Sequence, residues 1–220
     1  VLYLANLSDT LQLAKSMGIT TLTNPGRYGL TLVLGGGEVT LLDMASAYGV
    51  FATNGVRFEP TAILKIEDAQ GNSIEDNSQP AGTQVLSEQV AQQINDVLSD
   101  NAAREPLGAN SSLAFPNREV AVKTGTTNNY RDAWTIGYTP SFVLGIWAGN
   151  NDNSEMEKKV SGLIVGPMWN EVMTYALTKL PNEPFSRSES TAVPKPALAG
   201  LWTMPGTDNK PHEILYWVDT

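Results

Sequence analysis

The sequence predicts an α+β domain, in which an antiparallel sheet packs against helices that are separate from the sheet along the chain. Three amphipathic segments with residues that commonly cap helices precede the strand-rich part of the chain. Strand-like apolar segments then cover 119–123, 132–138 and 141–148, and the short Thr139-Pro140 connection predicts that the last two form a hairpin. A length of 220 residues and a hydrophobic fraction of 41 % suit one sizeable core.

Four helices are predicted from their first residues. Ser8 is the expected N-cap of the first helix. Thr40 is expected to cap the second, with Asp43 reaching back to the N–H of the cap, and Ser87 is expected to cap the third. Because proline is tolerated in a first turn, Gly166-Pro167 is expected to start the fourth. The expected inward faces are Leu41, Met44, Ala45 and Tyr48 on the second helix, Val90, Ile94, Val97 and Leu98 on the third, and Met168, Val172, Ala176 and Leu180 on the fourth.

The composition predicts three regions along the chain. Residues 1–180 carry the helix and strand patterns, including a strand predicted over 61–69 and a polar loop over 73–84. Residues 181–199 are rich in Pro, Ser and Glu, which is typical of a linker. Residues 200–220 are expected to start a small further module. Because both termini lie in helix-like or strand-like apolar sequence, we expect the chain to be part of a longer protein.

Charge and composition exclude several classes of function. The formal net charge of −9 argues against a nucleic-acid-binding or anionic-membrane surface, because such a surface needs a basic patch. The absence of cysteine excludes a thiol nucleophile and a Cys-ligated metal. The single histidine, His212, cannot build a multi-histidine zinc site. Any acyl-transfer chemistry would therefore need a base other than histidine.

The motif that carries chemistry is Lys123-Thr124-Gly125-Thr126-Thr127, at the end of a predicted strand. A lysine ammonium and nearby threonine hydroxyls can bind the carboxylate of a peptide. Glycine has no Cβ, so a substrate backbone can lie close to this strand and pair with it as an added strand. A backbone N–H just after the glycine could point at a developing oxyanion. A Lys-Thr-Gly sequence is a signature of penicillin-binding proteins and class A β-lactamases.

The sequence around this motif indicates a protein family more specifically than the motif alone does. KTGTTNN is followed by RDAWTIGYTP and then VLGIWAGN, while GLTLVLGGGEVT and AYGVFATNG lie upstream and GPMW lies downstream. In this order, these segments resemble the transpeptidase domain of class A penicillin-binding proteins. The resemblance runs from Val1 to about Leu180. The end of the chain, around His212, resembles the start of an extra C-terminal module that some members carry.

The resemblance implies a penicillin-binding and serine β-lactamase-like fold with the chemistry of a D-Ala-D-Ala transpeptidase. In this family a stem peptide acylates a serine, a lysine is the base, and β-lactams trap the serine. On this resemblance Lys123 and Thr126 are the catalytic candidates. Lys123, Thr124, Gly125 and Thr126 are the substrate-binding candidates, with the Thr126 N–H as half of the oxyanion hole. The implied partners are peptidoglycan stem peptides and β-lactams. No cofactor is implied, and the implied location is extracytoplasmic, through a membrane anchor upstream of this chain.

This chain departs from the family pattern at the nucleophile. No serine is followed by lysine three residues later, so the Ser-x-x-Lys motif is absent, and we expect the chain to be inactive by itself. Ser99-Asp100-Asn101 matches the family's Ser-x-Asn motif in letters, but it lies too close to Lys123 and at the end of a predicted helix. Two alternatives share the motif: a non-catalytic module that binds cell-wall peptide, and a D,D-carboxypeptidase or β-lactamase relative.

Four further features near the motif receive structural predictions. Asp132 is expected either to fix the loop after Gly125 by hydrogen bonding or to be an exposed turn carboxylate. Trp134 and Trp147, on neighbouring strands of the hairpin, are expected to pack in the core. The run 35–37 of three glycines lacks a phosphate-loop pattern and is expected to be a turn.

Overall fold

A computed structural model describes residues 2–104, 111–115 and 117–188, together with the backbone of 105–107, 201–203 and 211–213. The chain divides into two compact units, Val1–Ser188 and Glu189–Thr220. In the second unit β8 (Leu201–Thr203) pairs antiparallel with β9 (Pro211–Glu213). Everything that follows concerns the first unit.

The first unit contains six α-helices and seven strands within the described residues. The helices are α1 (Leu2–Ala5), α2 (Leu7–Ser16), α3 (Leu41–Ala52), α4 (Glu88–Ser99), α5 (Ser161–Ile164) and α6 (Gly166–Leu177). Short 3₁₀ helices cover Pro25–Arg27, Leu30–Leu34, Ala102–Leu107 and Asn128–Tyr130. The strands are β1 (Val56–Arg57), β2 (Lys65–Glu67), β3 (Ser73–Asp76), β4 (Thr83–Gln84), β5 (Ala121–Thr126), β6 (Asp132–Thr139) and β7 (Phe142–Gly149).

The main sheet is antiparallel with the order β5-β6-β7, which confirms the α+β class and the predicted hairpin. Its register pairs Thr124 with Thr135 and Trp134 with Trp147. One face of the sheet packs against α6, in a cluster that includes Val122, Trp169 and Met173. The opposite face packs against α3. The central strand β6 is therefore almost entirely buried.

The predicted helix starts are correct at three positions and wrong at one; α6 begins at Gly166-Pro167, as predicted. The hydroxyls of Thr40 and Ser87 accept hydrogen bonds from Asp43 N and Val90 N, as N-caps do. Ser8 is not a cap, because Asn6 takes that place with φ 66° and accepts from the backbone N–H of Ser8. Asparagine tolerates this left-handed conformation better than most residues.

The carboxylate of Asp43 makes a tertiary contact where a local one was predicted. Its Oδ2 accepts hydrogen bonds from the backbone N–H and the hydroxyl of Thr20, both at 2.7 Å. Asp43 therefore ties the start of α3 to the segment that follows α2. The prediction of a bond back to the cap came from a local sequence pattern. Such a pattern contains no information about a residue 23 positions away.

The predicted strand over 61–69 and the predicted loop over 73–84 together form a hairpin. Only Lys65–Glu67 of the first segment is strand, and it pairs with Ser73–Asp76 of the second. β4, at the end of the second segment, pairs with β1. The loop prediction was therefore wrong at 73–76 and 83–84, because polar side chains are compatible with strands that are exposed on both faces.

Two helices bury faces next to those predicted. On α4 Val97 is 71 % exposed, Val90 also points outward, and the buried residues are Ala91, Asn95 and Ser99. Asn95 is buried because its amide donates to Phe51 O at 3.0 Å and its Oδ1 accepts from the Tyr138 hydroxyl at 2.8 Å.

On α6 the predicted face is again displaced by one residue. Met168 and Val172 are exposed, while Trp169 and Met173 are fully buried. Trp169 determines this orientation because it is the largest side chain of the helix. Its ring packs edge-to-face with Phe115, and its Nε1 donates to Leu144 O at 2.9 Å.

The first part of the predicted linker packs against the sheet and α4. Phe185 is buried and its ring lies 5.6 Å from that of Tyr138. Arg187 donates to Asp96 at 2.7 Å and to Glu119 at 2.5 Å. The hydrogen bond from Arg187 lowers the pKa of Asp96. Within the described residues, no helix is both long enough and apolar enough to cross a membrane.

We predict that Gly137→Ala destabilises the chain, because the sheet leaves no room for a Cβ there. An added Cβ would lie 2.4 Å from Trp169 Cζ2 and 2.6 Å from the Ala121 carbonyl oxygen. Overpacking of this kind costs about 1–3 kcal/mol, measurable as a lower urea midpoint. Gly29→Ala is the matched control, because its backbone is extended and no atom lies within 4 Å of the added Cβ. Equal midpoints for the two variants would contradict the packing described for β6 and α6.

Candidate active site

The Lys-Thr-Gly motif lies within β5, which is an edge strand of the main sheet in the described residues. The strand continues through Thr126, one residue beyond the glycine. Within the described part of the chain, no strand pairs with its other edge, the one away from β6, which we call the open edge. The motif was predicted at the end of a strand, and the longer strand places all four candidate residues on this open edge.

Strand alternation sends the candidate side chains to opposite faces of the sheet. Thr124 and Thr126 point to the face that carries α5, where Thr126 contacts Ser161 and Thr124 lies near Gly162. Lys123 is two residues from Gly125 and shares its face, the one that α3 covers. A ligand can therefore meet the ammonium and both hydroxyls together only along the open edge of β5.

The ammonium of Lys123 lies close to this edge. Its Nζ donates to the carbonyl oxygen of Thr124 at 2.5 Å, and the side chain is exposed. A lysine ammonium has three donors, so further hydrogen bonds remain available to a ligand. Among the charged groups that line the cavity beside it are the carboxylates of Glu38 and Asp132.

The backbone N–H of Thr126 points to the open edge. The next N–H, that of Thr127, donates across to Asp132 O at 3.2 Å, so it points toward β6. Successive N–H groups of a strand point in opposite directions, which turns the Thr126 N–H away from β6. This is the direction that a donor to a bound oxyanion needs.

Asp132 fixes the loop that follows the motif, which confirms one of the two interpretations of this residue. Its Oδ2 accepts from the Thr127 hydroxyl at 2.9 Å, and its backbone N–H donates to the same hydroxyl oxygen at 2.8 Å. Its Oδ1 accepts from Trp147 Nε1 at 3.0 Å. One carboxylate therefore holds both the end of β5 and the indole at the end of the hairpin.

The prediction of core packing is wrong for Trp147 and holds only in part for Trp134. Trp147 is 42 % exposed, and the two rings lie 6.4 Å apart on the face of the sheet that carries Lys123. Both indoles line a cavity, because the first residues of β6 and the last residues of β7 extend beyond the part of the sheet that α3 covers. The alternation of side chains along the two strands did not by itself show which part of the sheet α3 covers.

A cavity of about 570 Å³ lies between β5 and the segment before α3. Its lining consists of Leu34, Gly35, Gly36, Gly37, Glu38, Val39, Leu41, Met44, Tyr48, Lys123, Thr124, Gly125, Thr126, Thr127, Asp132, Trp134, Ile136 and Trp147. The volume is in the range of small-molecule sites. All four candidate residues line it, so the structure brings the predicted set together. Burial raises the pKa of the Tyr48 hydroxyl, which is therefore neutral at physiological pH.

The three glycines form a turn, as predicted, and border this cavity. The 3₁₀ helix Leu30–Leu34 ends at Gly35, which has φ 92°. Gly36 N donates to Thr31 O at 3.1 Å, which closes the turn. The turn was predicted from the sequence, which contained no sign that it faces the Lys-Thr-Gly strand.

Ser99-Asp100-Asn101 lies outside the cavity, in agreement with its rejection as an active-site motif. Ser99 ends α4, and Asp100 caps the following 3₁₀ helix by accepting from Ala102 N at 2.9 Å. Ser161 was not among the residues predicted from the sequence, yet its hydroxyl contacts both Gly125 and Thr126. Its separation of 35 residues from Thr126 left no spacing signal that could have identified it.

The chain belongs to the penicillin-binding protein family. Residues 27–174, more than half of the chain, match the penicillin-binding protein transpeptidase domain. Penicillin-binding protein 1A of Aquifex aeolicus is 34 % identical over 176 residues, which cover 80 % of this chain and 23 % of the relative. Penicillin-binding protein 1A of Clostridium perfringens strain 13 is 37 % identical over 142 residues, 64 % of this chain and 20 % of the relative. The chain therefore spans about a quarter or less of the length of these curated relatives.

Solved structures support the same assignment. PonA1 of Mycobacterium tuberculosis, in complex with penicillin V, matches with a TM-score of 0.68 and 28 % identity. That match covers 80 % of this chain and 51 % of PonA1. Penicillin-binding protein 1A of Haemophilus influenzae gives a TM-score of 0.68 at 22 % identity, over 85 % of this chain and 33 % of that one. The described fold is thus that of penicillin-binding transpeptidase domains.

We predict that Asp132→Ala releases Trp147 and loosens the loop after the motif. The lost hydrogen bonds to a carboxylate should lower stability by about 1 kcal/mol, because the site is partly solvated. Labelling with 5-fluorotryptophan gives one ¹⁹F resonance for each of the five tryptophans. The resonances of Trp134 and Trp147 should shift, while that of the buried Trp169 should stay.

Asp152→Ala is the control, because this exposed carboxylate bonds to Ser154 in a nearby turn. It should leave the Trp147 resonance unchanged. An unshifted Trp147 resonance in Asp132→Ala would show that the carboxylate does not hold the indole.

Proposed function

We propose that this chain supplies one wall of a serine acyl-transfer site in a peptidoglycan D-Ala-D-Ala transpeptidase. The wall is the open edge of β5, with Lys123, Thr124, Gly125 and Thr126. The observation that carries this proposal is the convergence of the ammonium and two hydroxyls at one sheet edge, beside a backbone N–H that points outward. The nucleophile and the base would come from sequence outside this chain, so the chain alone is inactive.

Lys123, Thr124 and Thr126 would bind the terminal carboxylate of a stem peptide. A donor peptide that ends in a carboxylate would lie along β5 as an added strand, with no side chain at Gly125 to obstruct it. The ammonium then neutralises the carboxylate, while the two hydroxyls approach it from the other face of the strand. A β-lactam, which carries a carboxylate in the same position relative to its acyl carbon, would use the same three groups.

The Thr126 N–H would donate to the oxyanion that forms when the serine attacks. Its orientation away from β6 is consistent with this task, and the second donor would be the N–H of the serine itself. The reaction forms a serine ester, and the terminal D-Ala leaves with the proton that the base has taken. An amine of a neighbouring strand then accepts the acyl group. In the whole protein this chemistry would take place outside the cytoplasm.

We predict that Lys123 determines the labelling rate with a fluorescent penicillin. The test protein is the longer one that contains this chain and its upstream sequence. Lys123→Ala removes a charge-assisted contact worth about 1.5–3 kcal/mol, which corresponds to a roughly 10–100-fold slower labelling. Lys15→Ala, an exposed lysine on α2, changes the net charge equally and should label at the parent rate.

The 220-residue chain, run in parallel, should not become labelled. Covalent labelling of this chain would contradict the proposed division between the wall and the nucleophile. No labelling of a folded longer protein would instead favour a module that binds cell-wall peptide without acylation.

A further inference from the structure

Ser161, the first residue of α5, makes three hydrogen bonds with the motif strand although it is 35 residues away from Thr126. Its hydroxyl donates to the Gly125 carbonyl oxygen at 2.6 Å. Its Oγ also lies 2.6 Å from Thr126 Oγ1, and its backbone N–H donates to the same Thr126 oxygen at 3.0 Å. The Ser161 side chain is fully buried, while Gly125 and Thr126 are exposed, so these contacts are partly shielded from competing water.

The contact with the Gly125 carbonyl acts on the Thr126 N–H through the peptide bond. The two groups belong to one planar peptide unit, in which the C=O and the N–H point in opposite directions. Pairing with β6 already sets the direction of this peptide, and a donor that holds the carbonyl reinforces the direction of the N–H toward the open edge. It also polarises the amide, which makes the N–H a stronger donor.

The number of hydroxyl protons determines which residue donates in the hydrogen bond between the Ser161 and Thr126 hydroxyls. Ser161 has one hydroxyl proton, and it goes to the Gly125 carbonyl. The short contact between the two hydroxyls must then use the proton of Thr126. The Thr126 hydroxyl thus donates its proton to Ser161 Oγ. To donate to a bound carboxylate instead, its O–H bond must turn away from Ser161. The Ser161 N–H can continue to donate to Thr126 Oγ1 after that turn.

The start of α5 is itself held by part-buried contacts. The Ser112 hydroxyl donates to Gly162 O at 3.3 Å, and the Asn170 amide donates to Ser112 O at 2.7 Å. Ser161 is therefore presented from a supported segment, so its contacts can constrain the strand.

We propose that Ser161 is a positioning residue that orients and polarises the Gly125–Thr126 peptide and keeps the Thr126 hydroxyl at the cavity edge. This inference rests on the proposed function, because it assigns Ser161 a task in stabilising the acylation transition state. Ser161 itself does not contact the reacting atoms. Its loss should lower the rate constant of acylation more than it weakens the initial binding of the β-lactam.

The kinetic test uses the longer protein and a pair of nearly isosteric variants. Ser161→Thr keeps the hydroxyl and Ser161→Val replaces it with a methyl group, so both add similar volume at the buried site. Removing an oxyanion donor costs about 10²–10³-fold, and loosening one should cost about tenfold. We expect the acylation rate constant of Ser161→Val to be roughly tenfold below that of Ser161→Thr, with dissociation constants within about threefold. Ser161→Ala, which cannot overpack, should behave like Ser161→Val.

Equal acylation rate constants for folded Ser161→Thr and Ser161→Val would overturn the inference, because a purely structural residue would affect both alike. A difference confined to the dissociation constant would also overturn it, since it would place the effect on binding.

A spectroscopic test on the 220-residue chain needs no activity. Labelling glycine with ¹³C at the carbonyl and threonine with ¹⁵N selects the three Gly-Thr pairs, 82–83, 125–126 and 206–207. The Gly125–Thr126 signal should move in Ser161→Ala and in Ser161→Val, and return toward the parent position in Ser161→Thr. The signal of the pair 82–83, on β4, is the internal reference.

The two tests separate the possible failures. A Gly125–Thr126 signal that does not move in Ser161→Ala would overturn the inference whatever the kinetics show. A signal that moves, together with a longer protein that penicillin never labels, would mean that the proposed function has failed while the contact exists. The inference stands only if the signal moves and the acylation rate constant falls.

Discussion

The structure depends on one constraint, which is that β5 pairs with β6 on one side and, among the residues that the structure describes, with no strand on the other. Pairing fixes which backbone groups are used within the sheet and which point outward, so the outward direction of the Thr126 N–H follows from the Thr127 bond to Asp132. Alternation then distributes Lys123 and the two threonines over opposite faces. A site at such an edge needs no flexible loop to assemble, because the sheet already sets the spacing of its groups.

Two polar residues hold this edge near its end, one from the neighbouring strand β6 and one from α5. Asp132 anchors Thr127 and Trp147, and Ser161 anchors Gly125 and Thr126. Neither residue adjoins the motif in sequence. A binding site benefits from such support, because a group that is already oriented costs less to order when the ligand arrives.

Packing of the core against both faces of the sheet explains why the sheet can hold the motif residues of β5 in place. Trp169 packs so closely under Gly137 that β6 can carry no side chain there. The other face is covered by α3, whose start is tied to Thr20 through Asp43. The family match covers 27–174, the part of the chain that contains both faces and the motif. The edge strand is thus supported by packing on both sides of the sheet within the region that defines the family.

The sequence by itself determined the α+β class, the β6–β7 hairpin and the caps at Thr40 and Ser87, because each of these follows from local periodicity or capping chemistry, and its contiguous motif supplied the four candidate residues. It failed where a distant partner decided the outcome. Trp169 and Asn95 displaced the helix faces, since a large ring and a buried amide must each find a specific partner. Only the tertiary structure could place Ser161 against Gly125, because hydrogen bonds between residues far apart in the chain leave no periodic trace in the sequence.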